Sequence, residues 1–162
     1  MSMSFLDDNY FLTQALKQAY IAYEEDEVPV GCVIVYKNRI IAKAHNRVEA
    51  LKDVTAHAEI LAIGEASNFL NSKFLYECTA YVTLEPCSMC AGAFVLSRIK
   101  RIVFGCKDSK AGACVSLFNI TNNYLLNHRI EVEEIKDKFL NNQCSSIIKR
   151  FFEDKRRTTS KV

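Results

Sequence analysis

One short stretch restricts this chain more than any other: Glu85-Pro86-Cys87-Ser88-Met89-Cys90, which directly follows a β-prone run at Thr79–Leu84. Pro86 suits the first helical position, where no amide hydrogen is needed. A strand here therefore feeds straight into a helix expected over Cys87–Ser97. Cys87 and Cys90 then stand three apart in the first helical turn and share one face. A helix N-terminus favours thiolate over thiol, and thiolate is the form that binds a metal. A strand–helix unit with a ligand pair near its junction is a building block of layered α/β sheets.

The rest of the chain repeats that alternation. Phe5 to Glu24 carries Phe11, Ala15, Leu16, Ala19 and Tyr23 at amphipathic-helix spacing, and the acidic Glu24-Glu25-Asp26-Glu27 closes it. Val30–Tyr36 and Ile40–His45 read as two strands joined by a tight turn at Lys37-Asn38-Arg39. Residues 46–55 read as a polar loop, with Thr55 as the N-cap of a helix running to about Asn71. Arg101–Cys106 and Ile130–Ile135 are expected strands, residues 107–128 are irregular, and Asn141–Arg157 is a final helix. The fold class is α/β, a sheet covered by helices.

At 162 residues the chain is long enough for one domain with its own core. Its longest apolar stretch, Val28–Tyr36, contains Pro29 and Gly31 and is far shorter than the ~18 residues that cross a bilayer. The opening Met1-Ser2-Met3-Ser4, with Asp7 and Asp8 behind it, lacks the basic and apolar regions of a secretion signal. The seven cysteines are an odd number, which fits a reduced, cytoplasmic protein better than a disulfide framework. Net charge is only +2, yet six of the 21 basic residues fall within 149–162, against Glu153 and Asp154 alone. That concentration is either a solvated helix end or a phosphate-binding patch, and the run alone does not distinguish them.

The chemistry gathers at two helix starts. His57, in Thr55-Ala56-His57-Ala58-Glu59, adds an imidazole to the two thiolates. Three ligands of His and Cys type suit Zn²⁺, and with no evident fourth protein ligand the site keeps an open coordination position, as catalytic zinc sites do. Glu59 is two residues from His57 and does not share its ligand geometry. It is placed instead to take a proton from an activated water and return it to a leaving group. His-x-Glu or C-x-x-C alone is a weak signal. Their conjunction, H-x-E with P-C-x-x-C, is the signature of the zinc nucleobase deaminases.

At these residues the sequence closely resembles the bacterial tRNA-specific adenosine deaminases of the cytidine deaminase-like superfamily. The resemblance extends to Glu27-Val28-Pro29-Val30-Gly31, His45-Asn46-Arg47, Thr83-Leu84-Glu85, Asp108, Lys110, Asn127-His128-Arg129 and the terminal Phe151-Phe152. It implies one zinc-dependent deaminase domain over residues 1–162, three-layer α/β/α with a mixed five-stranded sheet, ending in a basic helix and tail over about 141–162. It implies hydrolysis of the wobble adenosine of a tRNA anticodon to inosine, with release of ammonia, in a homodimer. By the same resemblance His57, Cys87 and Cys90 hold one zinc per chain and Glu59 is the proton carrier. Asn46 hydrogen-bonds the flipped base, and Ala58 (through its backbone amide) and Val30 line the pocket. Asp108, Lys110, Arg150, Phe152 and Arg156 are candidate contacts to the flanking RNA, with at least one of Phe151 and Phe152 in the core. Cys32, Cys78, Cys106, Cys114 and Cys144 read as small apolar fillers.

Two other functions fit parts of the pattern. A deaminase of free guanine or cytosine uses the same machinery, but gains little from a basic C-terminal helix. A non-catalytic, zinc-stabilised RNA-binding domain has no use for Glu59.

Overall fold

The computed structural model describes residues 5–161; the N-terminal tetrapeptide considered above and Val162 lie outside them. Five strands form one sheet: β1 (Gly31–Tyr36), β2 (Arg39–His45), β3 (Cys78–Leu84), β4 (Arg101–Cys106) and β5 (Glu131–Glu134), in the order β2-β1-β3-β4-β5. β1 pairs antiparallel with β2 and β3, whereas β4 runs parallel to both β3 and β5. The five helices are α1 (Asp8–Glu24), α2 (Val48–Leu51), α3 (Ala58–Leu70), α4 (Ser88–Leu96) and α5 (Lys138–Thr159).

Strand alternation divides the core into two layers. Cys32 and Ile34 of β1 face one cluster with Ala58, Ala62, Ala66 and Phe94, under α3 and α4. Val33 and Val35 face the other, with Leu12, Ala15, Leu16, Cys144 and Ile147, under α1 and α5. The expected mixed α/β/α sandwich is the fold observed. Gly31 is required at the β1–α1 contact, because a Cβ there would overlap the backbone oxygen of Ala15. Cys32, Cys78, Cys106, Cys114 and Cys144 are all buried, as small core residues.

Helix starts differ from the sequence expectation for local reasons. α1 begins at Asp8 and not at Phe5, because Asp7 caps it, accepting from Tyr10 N at 2.9 Å. Thr55 is not the cap of α3, since its N–H and hydroxyl both bond Asp53 Oδ1, at 2.8 and 2.7 Å; His57 occupies the cap position. Pro86 lies just outside α4, with Cys87 at the cap and the Pro86 carbonyl accepting from Ala113 N at 2.9 Å. The loop read over 46–55 contains the single-turn helix α2. α5 starts earlier than expected because Asp137 caps it, accepting from Leu140 N at 3.0 Å.

Candidate active site and metal centre

Because α3 and α4 pack on the same face of the sheet, their starts meet beyond the end of β3. Nδ1 of His57 lies 3.5 Å from Cys90 Sγ and 3.7 Å from Cys87 Sγ. All three ligand atoms fall within 4.8 Å of one another, the one such cluster among the described residues. Tetrahedral zinc ligands at ordinary Zn–S and Zn–N lengths stand about 3.5 Å apart, so spacing and donor type both fit. A hydrogen bond from Cys90 pulls the Cys87 thiol down to about 4 against the opposing effect of burial, and His57 adds to it. His57 is raised in turn, first by Cys87, while Cys90 is pushed up by its bond to Cys87 and by burial. The trio is organised around a thiolate.

Glu59, in the first turn of α3, is only 4% exposed, and its Oε2 has no hydrogen-bond partner. Burial lifts its carboxyl to about 7, opposed by a backbone hydrogen bond and by the neighbouring His57. His57, Cys87 and Glu59 line a cavity of about 720 Å³, together with Val30, Asn46 and Leu84. Asn46 is buried; its N–H donates to the Val30 carbonyl at 3.1 Å and its Oδ1 accepts from Ala58 N at 2.8 Å. The Ala58 amide, expected to line the pocket, bonds Asn46 instead, and Ala58 is fully buried and not among the residues that line the cavity, whereas Val30 is. What Asn46 leaves available is its own NH₂ group.

The candidate RNA-contacting residues lie mostly at one rim. Asp108 and Phe152 line both the cavity and an adjoining hollow of about 590 Å³. The Oδ1 of Asp108 accepts from Lys110 N and Ala111 N at 2.9 and 3.2 Å. Lys110 and Arg156 line only the hollow, with Lys107 and Lys149. Phe151 is the core member of its pair and Phe152 the exposed one. Arg150 does not join them. Its guanidinium lies 5.3 Å from the Tyr23 ring, and it lines a different hollow with Tyr20 and Phe139.

Glu85 does not stand out in the sequence as a functional residue. Its side chain is 1% exposed and accepts the N–H groups of Asp108, Cys114, Val115 and Ser116 at 3.0–3.2 Å, besides the Ser116 hydroxyl. Burial alone would raise it, but these donors, Ser116 first, hold it below the ordinary carboxylate value. Gly112 is required beside it, since a Cβ would overlap the Glu85 carboxyl group. Apart from its place in the resemblance, the sequence signal is an acid directly after the largely apolar β3.

Residues 6–156 match the family described as MafB19-like deaminase. The chain is 56% identical over 124 residues to the tRNA-specific adenosine deaminase of Aquifex aeolicus, covering 76% of this chain and 82% of that one. It is 44% identical over 149 residues to the enzyme of the same description from Rickettsia typhi, covering 91% and 99%. A solved structure from work on A-to-I editing by tRNA:A34 deaminases at the wobble position superposes with a TM-score of 0.81. Its identity is 39%, with 86% of this chain and 99% of that chain covered. The chain belongs to the tRNA-specific adenosine deaminases, and its sheet is that of the cytidine deaminase-like fold.

Proposed function

We infer that this chain converts the wobble adenosine of a tRNA anticodon to inosine by hydrolytic deamination, releasing ammonia. One observation carries the chemistry: a buried carboxylate, one oxygen without a hydrogen-bond partner and raised to about 7, shares a cavity with His57 and Cys87 of a His/Cys/Cys trio of zinc-ligand spacing. His57, Cys87 and Cys90 would hold the ion. When bound, zinc supplies a Lewis acid that makes water a nucleophile at neutral pH. Glu59 accepts the proton released as water adds to the purine carbon bearing the amine. It then delivers that proton to the departing nitrogen, so one group serves both halves of the reaction. The Asn46 NH₂, oriented by the Ala58 bond, donates to an acceptor on the base, while Val30 and Leu84 give apolar contact. The whole domain serves this one site.

Lys107, Lys110, Lys149 and Arg156 around the adjoining hollow support RNA as the substrate, since each can neutralise a phosphate. No helix among the described residues is long and apolar enough to cross a membrane. By family membership we read the protein as a cytoplasmic homodimer. The test is incubation of metal-loaded protein with an anticodon stem-loop RNA, adenosine, guanine and cytosine, with assay of inosine and ammonia. Inosine from the stem-loop is expected. Ammonia from guanine or cytosine alone would mean a free-base deaminase, and no ammonia at all would mean a non-catalytic zinc domain.

A further inference from the structure

The acidic run after α1 is more than a helix end. Asp26 has a φ of 61°, and the N–H groups of Asp26 and Glu27 close back on the Tyr23 and Ala22 carbonyls at 3.1 and 2.9 Å. Aspartate tolerates this left-handed region better than most residues, and such a turn is a common helix ending. It sends three consecutive acids to three different elements. Asp26 reaches α5, accepting from Lys155 Nζ at 2.6 Å. Glu25 Oε2 stands 2.8 Å from His45 Nε2 at the end of β2. Glu27, 2% exposed, accepts from Glu49 N at 3.1 Å and from Ala50 N at 2.7 Å, at the start of α2. Arg47, at the α2 cap position, makes no side-chain cap bond, so Glu27 satisfies those N–H groups from outside the helix.

Asn46 lies between the two grips, one residue after His45 and three before Glu49. We propose that Glu25 and Glu27 are positioning residues for Asn46, fixing the chain on either side of it so that its amide stays aimed into the cavity. The inference rests on the reading of Asn46 as the base-contacting residue. Glu27 is the stronger arm, because it is buried and makes two charge-assisted bonds. The Glu25 carboxylate is 46% exposed, which weakens its hold on His45.

The experiment is a double-mutant cycle on kcat/KM for anticodon stem-loop RNA, with metal content and thermal melting recorded for every variant. Glu27→Ala is expected to lower kcat/KM about tenfold, and Glu27→Gln, which keeps one acceptor oxygen, by less. Glu25→Gln is expected to cost about threefold. In an Asn46→Ala background the Glu27 variants should cost nothing more, because there is no amide left to orient. A purely structural role predicts full additivity instead, and that result overturns the inference alone. If Glu27→Ala does not fold, the Glu27→Gln cycle decides by the same criterion. A wild-type rate for Asn46→Ala removes the base-contact reading and this inference with it. Absence of inosine from the wild-type enzyme removes the proposed function and the inference together.

Discussion

Three buried carboxylates, Glu27, Glu59 and Glu85, border the same cavity, and the protein treats the last two oppositely. Glu59 is desolvated with one oxygen unpartnered, and its carboxyl is driven up to about 7. Glu85 is equally inaccessible but receives four backbone N–H groups and a hydroxyl, and is held below its usual value. Burial by itself therefore does not set the role of an acid; the supply of donors does. An undersupplied carboxylate can exchange a proton near neutrality. A saturated one stays ionised and organises backbone, in this case the 108–116 segment behind the cavity wall.

The largest expected effect tests the first half of that contrast. Glu59→Ala should keep metal content and melting temperature but lose at least ~10²–10⁴ in rate, the usual worth of a positioned acid–base group. Retained turnover with metal bound would place Glu59 with Glu85, as structure. Glu85→Ala should do the converse, destabilising the fold by on the order of 3 kcal/mol, since five donors, one buried and four part-buried, lose their acceptor. Thermal melting reads this directly. A Glu85→Ala protein that melts like wild type but has lost its rate would invert the comparison.

The pH dependence of stability sharpens the same contrast. Glu85 has a lowered folded-state value, so its contribution is present above the ordinary carboxylate range and disappears as pH falls through the folded value. Glu85→Gln should therefore flatten the acid limb of the stability curve. An acid limb identical to wild type would show that Glu85 gains nothing from its donors.

Asn46→Ala should cost roughly 1–3 kcal/mol in kcat/KM, the penalty for leaving a polar group of the base unpaired in a dry pocket. Metal content should not change. The smallest effect concerns charge at the rim. Arg156→Glu should weaken stem-loop binding and flatten its salt dependence, by about 0.7 in log–log slope for each phosphate that is no longer neutralised. Arg150→Glu, in a separate hollow, should change the slope much less. Equal effects from both substitutions would make the whole C-terminal run a diffuse field and not a patterned binding face.

That last pair shows what helical periodicity reveals and a charge count conceals. Lys149, Phe152, Glu153 and Arg156 recur at three- and four-residue steps and share the hollow beside the cavity, whereas Arg150 falls off that stripe. Grouping the basic residues by count puts Arg150 with the others; grouping them by helical angle separates it. The role of Glu85 is harder to foresee. Its donors come from residues 108–116, which carry no periodic pattern, and a carboxylate's partners across such a distance leave no local trace. The same holds for the acidic turn at 25–27, whose partners lie on three elements. Thr55 fails as a cap for a simpler reason: Asp53, two residues away, competes for it.

The sequence by itself determined the alternation of strands and helices and the ligand types at His57, Cys87 and Cys90. These follow from short-range facts: side-chain period, helix-start chemistry, and the affinity of thiolate and imidazole for one kind of metal. Only the tertiary structure decided that the starts of α3 and α4 meet, bringing Nδ1 of His57 within 3.5 and 3.7 Å of two sulfurs thirty and more residues away. It also decided which acid is left short of donors and which is saturated. Proton affinity in an interior depends on every dipole within hydrogen-bond reach, and that set of dipoles exists only once the chain has folded.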